Sequence, residues 1–146
     1  MLRIVESRNV DLQHLRELFL NERQRTFTDQ DTSEFKLEDF DKQTQGEFIL
    51  TAFIDDIPVG FISIWTPNNF IHHLYIANRY QGNSIGTELL KAAIQKIIFP
   101  ITLKCLVSNT KAIKFYHKKG FTEKSRENSS NGMYILFELT KDVKYP

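Results

Sequence analysis

The chain has 146 residues, 41% of them hydrophobic and 25% charged, which suits one compact domain with a substantial core. Nineteen basic against eighteen acidic side chains leave a formal charge of +1, which excludes a bulk field that would recruit nucleic acid or an anionic membrane surface, so any anion site must be local. The one cysteine, Cys105, excludes an internal disulfide framework, and no run approaches the ~20 apolar residues of a membrane span or a signal peptide's apolar stretch, so the chain reads as cytoplasmic.

In chain order, residues 2 to 6 read as a short strand, and Asp11 stands where it would cap a helix carrying Leu12, Leu15, Leu18 and Phe19 to a core and ending near Asn21. From Glu22 to Asp31 the chain is polar and reads as irregular. "SEFKLEDFDKQT" then spaces Phe35, Leu37 and Phe40 for a second helix, with Ser33 as its cap. "EFILTAFI" and "PVGFISIW" are rich in strand formers and joined by "DDIP" as a hairpin, after which "PNN" turns the chain into a third run, "FIHHLYIA".

From Ser84 to Ile98 the apolar residues Ile85, Leu89, Leu90, Ala93, Ile94 and Ile97 share one side, which predicts an amphipathic helix stopped by Pro100. A strand "ITLKCLV" follows, then a helix from Asn109 to Lys119 with Gly120 as its stop. Two last strands fall around "FTEKS" and "GMYILFEL", with "RENSSNG" as the loop between them. The order β, α, α, three β, α, β, α, β, β predicts a single mixed α/β (α+β) domain over residues 1–146, with about six to seven strands and four helices.

Two stretches carry chemistry. "RYQGNSIGTELL", residues 79 to 90, joins the third strand of the meander to a helix through a glycine-containing turn. The first amides of such a helix have no partner and the macrodipole adds positive charge, so phosphate oxygens bind there readily. Gly82 and Gly86 permit positive φ or close approach, and Asn83 and Ser84 are small enough to let a ligand reach the backbone. The stretch has neither the Gly-Lys-Ser/Thr of a P-loop nor the G-x-G-x-x-G of a dinucleotide site, and by itself a well-capped strand-to-helix turn also accounts for it. The second stretch, "NTKAIKFYHKKGF", opens with Asn109 as a cap and places Tyr116 seven residues on, two turns later on the same face. A cap and a core aromatic are the plain account of that pair.

Together the two stretches resemble the motifs of the GCN5-related N-acetyltransferases (GNAT). "R-Y-Q-G-N-S-I-G" is similar to the family's coenzyme-binding R/Q-x-x-G-x-G/A, with Arg79, Gly82 and Ser84 in the signature positions, and "N-x-x-A-x-x-F-Y-x-x-x-G-F" is similar to its second motif. The resemblance implies that acetyl-CoA is a co-substrate and that the backbone of Gln81, Gly82, Asn83, Ser84, Ile85, Gly86 and Thr87 holds its pyrophosphate. It further implies that Leu74, Tyr75 and Ile76 run beside the pantetheine, that Asn109 meets the coenzyme further along, and that Tyr116 faces the sulfur as general acid. Two positions depart from the pattern: Ser84 replaces the usual glycine or alanine, and Asn78 the proline often found before the signature.

Amide formation also needs a base, because an alkylammonium of pKa ~10.4 is almost wholly protonated at neutral pH. The glutamate that some relatives carry five residues before the motif asparagine is Lys104 here, which directs attention to "IHHLYI". An imidazole of pKa ~6.5 suits the task. Strand alternation predicts His72 on the face of Leu74 and Ile76 and His73 on that of Ile71 and Tyr75, and either serves as base, fills a structural role, or leaves the task to a water chain. No metal ligand set is expected. Arg23 and Arg25 suggest a carboxylate contact to the acceptor or a solvated turn; Lys111, Lys114 and Lys118 suggest a contact to the adenosine phosphate or a solvated helix face. Trp65 and Phe70 read as core or pocket wall, and Cys105 as a small buried hydrophobe.

The expectation is therefore an enzyme that moves acetyl from acetyl-CoA to a primary amine by direct attack, acting as a monomer or homodimer without nucleic acid or membrane. The rival expectation is a catalytically inactive acyl-CoA sensor, raised by Lys104.

Overall fold

Alternating and continuous apolar runs settle the strands, and turn residues settle how they join. The computed structural model describes residues 1–27 and 31–141. In chain order its main elements are β1 (Leu2–Glu6), α1 (Leu12–Thr26), α2 (Asp39–Gln43), β2 (Phe48–Ile54), β3 (Ile57–Trp65), β4 (Phe70–Ile76), α3 (Ile85–Ile94), β5 (Ile101–Leu106), α4 (Thr110–Lys118), β6 (Thr122–Ser129) and β7 (Gly132–Leu139). The strands form one seven-stranded sheet in the order β1-β2-β3-β4-β5-β7-β6, antiparallel throughout except where β4 meets β5. The turn between β2 and β3 is Asp55–Asp56, with φ of 50° and 66°, the double positive φ that a two-residue hairpin of matching twist requires.

The sheet is covered on both faces. On one, α3 and α4 bury Ile85, Leu89, Leu90, Ala93 and Tyr116 against Ile62, Ile64, Ile71, Leu103, Ile135 and Phe137. On the other, Leu15, Leu18 and Phe19 of α1 and Phe40 of α2 close over Phe61 of β3. At Gly60 the neighbouring strand β4 comes so close that a Cβ would stand 2.7 Å from Ile76 Cδ1 and 3.0 Å from the Tyr75 carbonyl oxygen. Among the described residues no helix is long and apolar enough to cross a membrane.

Several boundaries differ from the sequence-based expectation. Helix α1 does not end near Asn21 but continues to Thr26, because Glu22 and Arg23 are buried and bonded instead of solvated. Of the polar stretch from Glu22 to Asp31, residues 28–30 lie outside the described part of the chain. The expected second helix shortens to Asp39–Gln43; the Ser33 amide donates to Asp31 Oδ1 in a local turn, so Ser33 caps nothing. Helix α3 stops at Ile94, not Ile98, and the Ile98 amide is taken up by Asn69 Oδ1. "RENSSNG" is mostly strand: β6 runs to Ser129, paired with β7 to the Ser129–Gly132 position, and only Ser130 and Asn131 turn. Cross-strand pairing overrode the low strand propensity of these polar residues.

Candidate active site

The parallel partners β4 and β5 pair only at Phe70–Thr102 and Ile71–Leu103, then separate. The backbone of Leu74, Tyr75 and Ile76 therefore has β3 on one side and no strand on the other. A cleft of about 1230 Å³ opens there, at the carboxyl ends of both strands, lined at one end by Gln81, Gly82 and Ser84 to Thr87 and at the other by His72, His73, Arg23 and Phe35. Ligand sites of α/β sheets favour this position.

At the first end, β4 leads through Asn78–Tyr80 into a turn in which Gly82 has φ +84° and Ser84, the N-cap of α3, has φ 62° and ψ 16°. Two left-handed residues two apart bend the chain so that α3 starts with its amides toward the cleft. The first helical bond runs from the Glu88 amide to the Ser84 carbonyl, 3.1 Å, so the amides of Ile85, Gly86 and Thr87 have no acceptor within the helix. Ile85 turns its side chain into the core, leaving only its amide to the cleft. Gln81 ties the turn down: its Nε2 donates to the Ile76 carbonyl at 3.1 Å, and its Oε1 accepts from Lys111 Nζ at 2.7 Å. Asn83 Nδ2 donates to the Tyr80 carbonyl at 3.2 Å. The tail of α1 supports the turn too, since buried Glu22 accepts the Asn78 amide at 3.1 Å.

Across the cleft, Asn109 caps α4 as expected, its Oδ1 accepting the Ala112 amide at 3.2 Å. Tyr116 lies two turns on, 8% exposed, with its ring among Phe115, Phe121 and Phe137 at centroid distances of 5.2, 5.4 and 6.2 Å. It is both a core residue and part of the cleft wall. Burial, and after it the neighbouring Cys105 and Tyr75, pushes its phenol well above the ordinary value, so it stays protonated at neutral pH. Burial also raises the Cys105 thiol to about 11, which makes it the inert small hydrophobe expected. Of the three lysines, Lys111 alone borders the cleft; Lys114 and Lys118 are exposed on α4. Phe70 lines the cleft, but Trp65 is 39% exposed and is not core.

The histidines depart from the expected alternation. The β3 register pairs Ile64 with Ile71 and Ser63 with His73, leaving His72 as an extra residue in β4. Such a bulge turns two successive side chains to one face. Ile71, Leu74 and Ile76 pack toward α3, whereas His73 and Tyr75 pack on Phe19 of α1, and His72 joins them: the two imidazoles stack at 3.8 Å with 27° between planes. His73 is buried and its Nε2 has no partner among the described residues; burial, and after it the neighbouring His72 and Arg23, lowers its pKa to about 3. Burial likewise raises Tyr75 to about 12.

His72 is 37% exposed, and its Nδ1 lies 2.7 Å from Oε2 of Glu47, whose side chain is 6% exposed. Glu47 Oε1 is buried without a partner among the described residues. The sequence reading missed Glu47. The available signal was position: two residues before Ile49, which packs toward α1, an acid falls on an inward-facing site. Donor atoms of Glu47, His72 and His73 all lie within 4.8 Å of one another.

The arginines do not stand in a solvated turn: both belong to α1 and line the cleft. Arg23 is buried, donates to Asp39 Oδ2 at 2.8 Å and lies 4.3 Å from the Phe19 ring and 4.0 Å from the Phe35 ring, so it clamps α1 to α2. Arg25 pairs with Glu22 at 3.5 Å. Lys104 also lines the cleft, where it is held by Glu127 at 2.6 Å.

The sequence matches the model of the acetyltransferase (GNAT) family over residues 12–121. Among solved structures, a GCN5-related N-acetyltransferase from Rhodopseudomonas palustris has a similar fold, with a TM-score of 0.77 at 22% identity over 95% of each chain. PaiA N-acetyltransferase from Thermoplasma acidophilum, solved in complex with coenzyme A, gives 0.75 at 23% identity over 97% of this chain and 99% of that one. The ribosomal-protein-S18-alanine N-acetyltransferase from Escherichia coli gives 0.74 at 16% identity over 99% of this chain and 97% of that one. None of the curated proteins matches in sequence.

Proposed function

The chain belongs to the GNAT acetyltransferase family, and from that premise we propose that it moves an acetyl group from acetyl-CoA to a primary amine by direct attack, with no acetylated enzyme between. The observation that carries this reading is the open β4–β5 junction, with unpaired α3 amides at one end and an imidazole at the other, Tyr116 on its wall. One polar track serves an anion, an acyl group and an amine in sequence.

Acetyl-CoA, when bound, supplies an activated acyl carbonyl and a thiol leaving group. The amides from Gly82 to Thr87 hold its pyrophosphate, the Gln81 amide being taken by the Asn78 carbonyl at 3.3 Å, and each charge-assisted bond contributes roughly 1.5–3 kcal/mol. Lys111, fixed by Gln81 at the same end, adds a positive charge beside that turn. The backbone of Leu74, Tyr75 and Ile76 has no strand on its β5 side, and apart from the Ile76 carbonyl, which accepts from Gln81 Nε2, its groups on that side are open to an extended ligand; Asn109 borders the same wall. Tyr116, held protonated by burial, donates its O–H to the departing sulfur. His72 accepts the amine proton. His73 is a poor base with its pKa near 3, and supports the site by packing. Lys104, which raised the sensor alternative, is engaged by Glu127, and a base elsewhere in the cleft removes the need for one at that position.

A panel of primary amines incubated with acetyl-CoA tests the reading. Release of free thiol with matching N-acetyl product is expected for at least one amine. Tight coenzyme binding with no thiol release from any amine would favour the sensor, and equal thermal protection by ATP and coenzyme A would favour a nucleotide-binding regulator.

A further inference from the structure

We propose that Glu47 and His72 form a carboxylate–imidazole pair in which Glu47 is the positioning residue that makes His72 the general base. The proposal rests on the transferase reading above and adds to it a residue from outside both sequence motifs.

The geometry carries it in three steps. The bulge in β4 turns His72 toward the α1 face, where Glu47 ends the segment leading into β2; regular alternation would have put the ring on the opposite face. The 2.7 Å contact joins a side chain 6% exposed to one 37% exposed, so the acid is inside and the imidazole is at the cleft. A carboxylate only accepts, so the proton sits on His72 Nδ1 and the lone pair on Nε2, the nitrogen left for the amine. When the amine attacks, its proton passes to Nε2, Nδ1–H stays bonded to Glu47, and the imidazolium is stabilised where it forms. No other proton acceptor is consumed.

The groups around the ring favour this role. From β4, His73 stacks on it as a neutral imidazole and so adds no competing charge. From α1, Arg23 is held by Asp39 of α2, and from β3, Ser63 stands opposite His73. Phe70 flanks the ring at 6.1 Å. Among the described residues, Glu47 is thus the anion in direct contact with the imidazole.

The experiment pairs kinetics with imidazole ¹⁵N spectroscopy on the full-length protein. His72→Ala is expected to lower kcat by about 10²–10⁴-fold with coenzyme affinity retained. Glu47→Gln is expected to lower kcat by about 10–100-fold, because a glutamine amide can donate to Nδ1 and select the wrong tautomer. The spectrum of the wild type should show Nδ1 protonated and Nε2 bare, reversed in Glu47→Gln; this readout needs no acceptor and reports even on a variant that turns over slowly. Undiminished turnover in both variants, or a wild-type spectrum with the proton on Nε2, would overturn the pair while leaving the transferase intact. No thiol release by the wild type from any amine would overturn the transferase reading itself. Activity lost to a chelator and restored by Zn²⁺ would overturn the pair in favour of a metal centre on Glu47, His72 and His73.

Discussion

The rings of His72 and His73 lie face to face, 3.8 Å apart, although the two residues are consecutive in a strand. A regular strand points neighbours to opposite sides, so the stack exists only because β4 carries one residue more than β3 across this stretch. The bulge sits beside the point where β4 and β5 part, so the same few residues open the cleft and place an imidazole in it.

Tyr116→Phe should reduce kcat by about 100-fold while coenzyme affinity stays within experimental error, since the phenol acts on the departing sulfur and not on the bound anion. The ring contacts with Phe115, Phe121 and Phe137 remain, so the thermal midpoint should hold. Steady-state kinetics beside coenzyme titration checks it. Equal loss in kcat and coenzyme binding would make Tyr116 a binding-wall residue only.

Ser84 occupies a left-handed conformation that costs a non-glycine residue about 1–2 kcal/mol. Ser84→Gly removes that cost but adds roughly 0.5–1 kcal/mol of chain entropy in the unfolded state, for a net gain of up to about 1.5 kcal/mol. Coenzyme affinity should be kept, because the turn holds its ligand through the backbone. Urea denaturation with coenzyme titration measures both, and a loss of affinity would mean that the serine hydroxyl itself binds.

Gly60→Ala should destabilise the fold by about 1–3 kcal/mol, because a Cβ there meets Ile76 Cδ1 at 2.7 Å and the Tyr75 carbonyl oxygen at 3.0 Å, and backbone cannot give way cheaply. The strain falls on the open stretch of β4, so coenzyme affinity should drop as well. Chemical denaturation showing wild-type stability would disprove the close-packing account.

Burial acts on Asp39 to raise its pKa, but the Lys36 amide and the Arg23 guanidinium outweigh that and hold the carboxyl below its ordinary value. A carboxyl lowered in the folded state stabilises fully above its unfolded pKa of ~3.9, and that contribution disappears as pH falls through the folded value. Asp39→Ala should therefore cost about 3 kcal/mol near neutrality, where it strands a buried guanidinium, and progressively less below pH ~4. Denaturation midpoints from pH 7 down to 2 give the comparison; a constant deficit across that range would contradict it.

Lys104→Ala removes an ion pair in which both side chains are about half exposed. It should change stability by less than about 1 kcal/mol and leave turnover essentially unchanged. A large rate loss would return Lys104 to the reaction.

Residue types and spacing alone fixed the element order, the seven strands and four helices, the glycine turn after β4, and Asn109 as a helix cap, because periodicity, turn chemistry and capping are local. The helix ends at Thr26 and Ile94 and the polar strand β6 were not legible locally: burial of Glu22 and Arg23, capture of the Ile98 amide by Asn69, and pairing with β7 decided them. The site divides the same way. A backbone anion turn depends on consecutive residues and can be read from them, whereas the contact of Glu47 with His72, 25 positions apart, depends on the bulge in β4. Only assembly of the sheet sets that register, because a strand's facing direction is fixed by its neighbour's hydrogen bonds and not by its own sequence.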